Sequence, residues 1–134
     1  MKKMPKFRAW LKENKEMINV DELAFDTKWV RGFYELDSHW FKFEEVELMS
    51  STGLFDKNGT EIFEGDIIST YTDNLVIKRD NLLGFYVEVV KVEEKRNYFA
   101  ETVDIEYLDL FAKDFGVAVE VLGNIYKNPE LLGR

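Results

Sequence analysis

The densest group of side chains that could perform chemistry lies in residues 52–68, TGLFDKNGTEIFEGDII, where Glu61, Glu64 and Asp66 supply three carboxylates. Paired carboxylates can act as acid and base or hold Mg²⁺, and Glu64 and Asp66 would share one face of a strand. Gly65 separates them, however, and no histidine flanks them. This pattern favours a solvated bend in which Asp66 accepts hydrogen bonds from backbone amides.

The sole histidine, His39, follows Asp37 and Ser38, so the three residue types of a hydrolase triad stand side by side. Triad side chains must converge, whereas neighbours on an extended chain point to opposite faces. We therefore interpret His39 as a loop residue.

Further acids fall in a predicted helix near residues 103–115, and their spacing indicates a solvated helix face rather than a metal site: Asp104, Glu106, Asp109 and Asp114. The glycines form neither a Walker nor a Rossmann pattern. The sequence thus predicts no catalytic residue, no metal site and no cofactor.

Composition favours a mainly β protein. The 134 residues include 11 Phe, 6 Tyr and 3 Trp, and aromatic rings pack well on pleated sheets. There is no cysteine, which excludes disulfides, thiolate zinc sites and thiol catalysis and fits a reducing compartment. No segment approaches the ~20 apolar residues of a membrane span. We expect a soluble, cytoplasmic protein.

Charge is distributed unevenly. Residues 1–34 hold eight Lys/Arg and five Asp/Glu, whereas the remainder holds ten and 21, for a net charge of -8. An acidic body disfavours broad nucleic-acid binding because phosphate contacts need a basic surface. A smaller basic patch in the segment KKMPKFR, with Lys12, Lys15 and Trp10, leaves nucleic-acid binding as an alternative.

Alternation and turn residues predict the strands. KFRAWL and EMINV should form a hairpin around Asn14, and Asn58-Gly59 should close a second hairpin between residues 53–55 and 61–63. Glu64-Gly65-Asp66 predicts a bend, LVIK and FYVEVVKV a further strand pair, and VAVEVLGNIY a closing strand kinked at Gly123. Pro129 should end that strand.

Aromatic residues are concentrated between residues 29 and 43. Trp29, Phe33, Trp40 and Phe41 either fill a core between two β subdomains, which is the favoured reading, or form an exposed interface. Neighbours in a strand face opposite ways, so either Trp40 or Phe41 could be exposed. An exposed ring would indicate a protein-binding hot spot or a base-stacking platform.

KFRAW, TGLFDKNGTEIFEGDII and EVLGNIYKNPELL, in this order, resemble the YopX protein family of phages and prophages of Gram-positive bacteria. The resemblance implies a β-rich fold with an SH3-like barrel portion, and it supplies no catalytic residue. The matched positions have the character of turn formers and core anchors: Gly53, Leu54, Asp56, Asn58, Gly59, Gly65, Asp66, Gly123, Asn124, Tyr126, Asn128, Pro129 and Leu131.

These observations together predict a single domain over residues 1–134. Residues 1–50 would form an N-terminal β subdomain, and residues 51–134 the SH3-like barrel portion with the short helix near 103–115. We expect a non-enzymatic phage accessory protein that binds an unidentified phage or host protein, or itself as a homo-oligomer. Nucleic-acid binding is the first alternative, and a carboxylate- and metal-dependent enzyme is the second.

Overall fold

The structure is a computed structural model that describes residues 6–69, 74–80, 84–90, 102–104 and 119–132. These residues form antiparallel strands and two short 3-10 turns, which confirms the predicted mainly β class. The chain divides into two compact units, Met1–Ser51 and Thr52–Arg134. The part of the chain described here includes no helix with the length and hydropathy of a membrane span.

The first unit is built on an antiparallel sheet in the order β4-β3-β2-β1-β5. Its strands are β1 (Phe7–Leu11), β2 (Glu16–Ala24), β3 (Trp29–Tyr34), β4 (Asp37–Lys42) and β5 (Val46–Phe55), with a 3-10 turn at Phe43–Glu45. The predicted N-terminal hairpin is confirmed, because Phe7 pairs with Val20 and Leu11 with Glu16.

One face of this sheet carries the core of the first unit, formed by Ala9, Leu11, Ile18, Val30 and Val46. The residues recur at alternate positions because side chains on a strand alternate between faces. Trp10 stands on the other face of β1 and is nevertheless only 8% exposed. Both faces of β1 are therefore covered at this point.

The second unit contains β6 (Glu61–Phe63), which pairs with β5, and a sheet in the order β10-β9-β8-β7-β11. Its strands are β7 (Asp66–Ser69), β8 (Asn74–Asp80), β9 (Gly84–Val90), β10 (Thr102–Asp104) and β11 (Glu120–Asn124), and a 3-10 turn spans Pro129–Leu132. The predicted strand pair after residue 73 corresponds to β8 and β9. The core of the second unit consists of Ile62, Ile68, Leu75, Ile77, Val87 and Val119.

The SH3-like barrel is not confirmed, because the described residues form two antiparallel sheets without a closed barrel. The helix predicted near 103–115 is wrong at its start, where β10 pairs with β9. Cross-strand hydrogen bonding has outweighed the helical spacing there. Residues 105–115 lie outside the described residues, and for them the helix stays a prediction.

The turn between β3 and β4 has an unusual backbone. Tyr34 pairs directly with Asp37, so Glu35 and Leu36 alone reverse the chain, with φ of 50° and 71°. Two-residue hairpin turns favour Asn-Gly at such positions, since a left-handed conformation costs an L-residue about 1–2 kcal/mol. The turn therefore displays a leucine at the expense of stability.

We expect Leu36→Gly to preserve or increase stability. Relief of the left-handed strain should outweigh the additional ~0.5–1 kcal/mol of backbone entropy that glycine loses on folding, for a net gain of up to about 1 kcal/mol. Thermal unfolding followed by circular dichroism measures this change. Leu122→Gly, at an exposed leucine of β11 without positive φ, is the matched control and should lower the midpoint. A lower midpoint for Leu36→Gly itself would contradict the expectation.

Candidate functional site

Asp56 joins two distant parts of the second unit. It is 8% exposed, and its Oδ1 accepts hydrogen bonds from the amides of Asn58 and Thr60 at 2.9 and 2.8 Å. Its Oδ2 accepts the amide of Val121, 65 residues away, at 2.9 Å. One carboxylate thus closes its own turn and ties that turn to β11.

The turn that holds Asp56 is the predicted hairpin turn between β5 and β6. Asp56 N–H donates to Thr60 O at 2.8 Å, and Gly59 N–H donates to Asp56 O at 3.0 Å. The positive φ falls on Gly59, at 81°, while Asn58 remains outside the left-handed region. This arrangement is a turn followed by a glycine bulge rather than a two-residue Asn-Gly turn.

The environment of Asp56 favours the ionised carboxylate. Burial alone raises its pKa, but hydrogen bonds from the amides of Val121, Thr60 and Asn58, and from the Thr60 side chain, lower it by more. The net pKa of Asp56 lies below its ordinary value. The carboxylate is therefore a charged acceptor fixed by its donors, which is a structural role.

Gly65 and Asp66 make a second connection to the closing motif. Asp66 is 1% exposed, and its Oδ2 accepts the amide of Phe63 at 2.8 Å. Gly65, at φ 86°, donates its amide to Ile77 O and accepts the amide of Ile125 at 2.9 Å. The predicted bend is present and Asp66 accepts a backbone hydrogen bond as expected, but the prediction that the bend is solvated is wrong, because Gly65 and Asp66 are buried.

The closing motif EVLGNIYKNPELL folds around two asparagines. Asn124 Oδ1 accepts the amides of Tyr126 and Lys127 at 3.0 and 2.8 Å, and Asn128 Oδ1 accepts the amide of Asn124 at 3.3 Å. A Cβ at Gly123 would collide with the Asn128 side chain, which explains the glycine. The register shift between Val121 and Gly123 matches the predicted kink, and Pro129 begins the final 3-10 turn.

The candidate carboxylates of the central motif lie at different depths, and Asp66 is the buried one. Glu61 and Glu64 are half-buried, and the described residues contain no cluster of three His, Asp or Glu that could hold a metal ion. His39 lies on strand β4, not in the predicted loop. Asp37 Oδ1 accepts the amide of Ser38 at 2.8 Å, and strand alternation puts Ser38 on the face opposite His39. Of the helix acids, only Asp104 lies within the described residues.

We expect Asp56→Asn to destabilise the protein by about 1.5–3 kcal/mol, because the amide cannot accept all three backbone N–H groups and charged hydrogen bonds are worth about this much. Chemical denaturation at pH 7 measures the loss. Glu120→Gln, which removes only the exposed 3.5 Å ion pair with Lys57, is the control and should cost less than about 1 kcal/mol. Equal losses would contradict the role assigned to Asp56.

The same substitution predicts a pH dependence. The pKa of Asp56 is lowered in the folded state, so its stabilisation is complete above the ordinary Asp pKa of about 3.9. It is lost as pH falls towards the folded-state value. The stability difference between wild type and Asp56→Asn should therefore shrink below about pH 4. A difference that stays constant down to acid unfolding would oppose this view.

The aromatic candidates occupy both faces of the β3–β4 hairpin. Cross-strand pairing puts Trp29, Phe33 and Trp40 on the outer face, since Trp40 stands opposite Arg31 and Phe33 opposite Ser38. Phe33 is 62% and Trp40 45% exposed, while Trp29 is half-buried. Phe41 lies on the inner face and packs against the core of the first unit. Trp40 is thus the exposed member of the adjacent pair.

Two cations lie over the outer-face indoles. The Arg31 guanidinium is 5.7 Å from the Trp40 ring centroid, and Lys42 Nζ is 5.8 Å from that of Trp29. Arg31 also pairs with Asp21 at 2.8 Å and Glu22 at 3.3 Å. Each cation–π contact is worth about 0.5–1 kcal/mol at an exposed site. They order the outer face and leave Phe33 and one side of Trp40 accessible.

The free edge of β4 is protected by local carboxylates. β4 is the last strand of its sheet among the described residues. The amide of Ser38 donates to Asp37 Oδ1 at 2.8 Å and the amide of Lys42 donates to Glu45 Oε1 at 2.9 Å. Unpaired edge amides are templates for another strand, and these two amides are already occupied.

Asp37 and Glu45, which accept these amides, are the edge caps. Removing both in Asp37→Ala with Glu45→Ala should expose the two amides and promote self-association by strand pairing. Sedimentation velocity over a range of concentrations should show dimers or larger species absent from wild type. Glu44→Ala with Asp26→Ala removes two exposed acids of the same unit and matches the change in charge. A double cap variant that sediments like this control would contradict edge protection.

Two of the residues predicted to contact nucleic acid are buried or paired within the protein. Trp10 is buried and cannot stack on a base. Lys12 pairs with Glu47 at 3.5 Å and donates to Glu44 O at 3.2 Å. Lys2 and Lys3 lie outside the described residues.

Sequence reasoning missed Leu36, which is 92% exposed, and the two edge caps. The signal for Leu36 was the segment YELD between two strands, since a two-residue turn must place both central side chains outside the sheet. The caps left no signal, because exposed acids are common on any strand.

A family model and a solved structure each match nearly the whole chain. Residues 6–133 match the YopX protein family, which confirms the resemblance found in the sequence. The crystal structure of protein EF1440 from Enterococcus faecalis is similar, with a TM-score of 0.52 and 31% identity over 98% of this chain and 99% of that one. No curated protein matches the chain.

Proposed function

The chain belongs to the YopX protein family, and we propose that it is a non-enzymatic protein-interaction module that binds through the outer face of the β3–β4 hairpin. This proposal rests mainly on one observation. Phe33, Leu36 and Trp40 are large apolar residues that remain exposed on a single hairpin. Aromatic residues in such positions are typical anchors of protein interfaces.

The chemistry of the buried acids supports a binding function over a catalytic one. Asp56 and Asp66 accept backbone hydrogen bonds that hold turns in place, whereas catalytic carboxylates must reach a substrate. The hairpin, by contrast, presents side chains whose burial would be favourable. Apolar burial contributes roughly 25 cal/mol per Å², so covering these residues would provide a substantial driving force.

We place this module in the cytoplasm of a bacterial cell, as a phage or prophage accessory protein. The similar protein from Enterococcus faecalis supports a bacterial setting. A chain without cysteine is compatible with a reducing compartment. The phage origin comes from the resemblance of the three motifs, and the partner would be a phage or host protein.

Substituting the exposed aromatics tests this function. Phe33→Ser with Trp40→Ser should reduce partner recovery at least tenfold, because hot-spot aromatics each contribute about 2 kcal/mol or more. The measurement is a tagged pull-down from cells that carry the gene, treated with nuclease and quantified by mass spectrometry. Phe55→Ser removes a similarly exposed phenylalanine of the second unit and should leave recovery unchanged. Equal recovery with all baits would reject the proposed surface.

A further inference from the structure

The tip of the β3–β4 hairpin combines an apolar projection with negative charge. Leu36 is 92% exposed at the two-residue turn, and Phe33 is exposed in the second residue pair below that turn. Trp40 lies diagonally across the hairpin from Phe33, a separation that aromatic side chains can span. The three residues thus continue from the tip down the outer face.

Two exposed carboxylates, Glu35 and Asp37, flank Leu36 in sequence. Asn14 Nδ2 donates to the Tyr34 hydroxyl at 3.0 Å, which fastens the β1–β2 turn to the hairpin. Burial raises the pKa of Tyr34 first, and the hydrogen bond and charge of Glu35 and the charge of Glu16 raise it further, against the opposing Asn14 contact. Glu16 and Glu35 thus both raise the pKa of the Tyr34 hydroxyl.

We infer that the hairpin tip docks, with Leu36 as its central anchor, into an apolar pocket rimmed by Lys or Arg side chains on a basic partner protein. The inference rests on the proposed function and specifies both the contact and the partner's chemistry. A basic rim complements Glu16, Glu35 and Asp37 and would accelerate association.

The carboxylates at the tip decide between occupants. A second copy would bring the same Glu35 and Asp37 to a tip-to-tip contact, where like charges repel. Phosphates of a nucleic acid would be repelled by the same carboxylates. The capped amides of Ser38 and Lys42 oppose strand addition at the β4 edge, which leaves side-chain contact as the mode of binding.

Photo-crosslinking from the tip tests the inference in the full chain. Leu36 is replaced by p-benzoylphenylalanine, and Phe55 carries the same group as the control. Irradiation in cells that carry the gene should link position 36, and not position 55, to one protein at a segment containing Lys or Arg. A mixture of isotopically light and heavy chains detects linkage between copies. Linkage to a second copy, to nucleic acid or to an acidic segment, or no linkage, would overturn the inference.

The crosslinked protein is then purified and its affinity measured with two matched variants. Leu36→Gly, which relieves the strained turn, should weaken binding at least tenfold without lowering the unfolding midpoint. Glu16→Gln with Glu35→Gln leaves both edge caps in place. It should weaken binding about fivefold at low salt, and the difference should narrow at 0.5 M salt because exposed charges are screened.

The same affinities separate the two proposals. If Phe33→Ser with Trp40→Ser weakens binding while both tip variants bind like wild type, the interaction surface stands and the tip inference is wrong. If none of the variants weakens binding, the proposed surface is wrong as well. Loss of binding with Leu36→Gly alone, unaffected by the Gln substitutions or by salt, would reject the basic rim.

Discussion

The hydrogen bond from the Val121 amide to Asp56 Oδ2 is the contact on which the second unit most depends. It joins the β5–β6 turn to β11, and the amide of Lys57 donating to Val119 O at 2.9 Å reinforces the same junction. Among the described strands β11 pairs only with β7, so these two hydrogen bonds provide its connection to the β5–β6 turn. Backbone and side-chain hydrogen bonds thus join the central and closing motifs into one structural element.

The hydrogen bonds between the two motifs explain why acids and glycines recur in them. A buried carboxylate is costly unless donors surround it, and Asp56 receives amides from its own turn and from a remote strand. Gly65 adopts a positive φ and offers both its amide and its carbonyl to other segments. Gly123 leaves room for the Asn128 side chain. The carboxylates of Asp56 and Asp66 therefore accept hydrogen bonds from backbone amides.

The β3–β4 hairpin divides its apolar residues between a buried inner face and an exposed outer face. Its inner face gives Val30 and Phe41 to the core of the first unit, while its outer face and tip keep large apolar groups in solvent. The edge amides of Ser38 and Lys42 are occupied by carboxylates. A hairpin with two occupied edge amides and exposed aromatic rings, at the cost of a strained turn, is suited to selective side-chain contact.

Local signals determined much of this protein from sequence alone. Alternation and turn residues predicted the N-terminal hairpin, the Asn58-Gly59 turn and the kink at Gly123, because each depends on neighbouring residues and backbone geometry. The three ordered motifs also identified the family. Helical spacing failed at residues 102–104, since cross-strand pairing is invisible to a local pattern.

Only the tertiary structure decided which faces of the strands are covered. Alternation shows that Trp40 and Phe41 point in opposite directions, but the core beneath Val30 determines that Phe41 packs inward. Trp10 points to the face opposite Ala9 and Leu11, yet it too is buried, because both faces of β1 are covered. The partner of Asp56 Oδ2 lies 65 residues away, and no local rule specifies a contact at that separation.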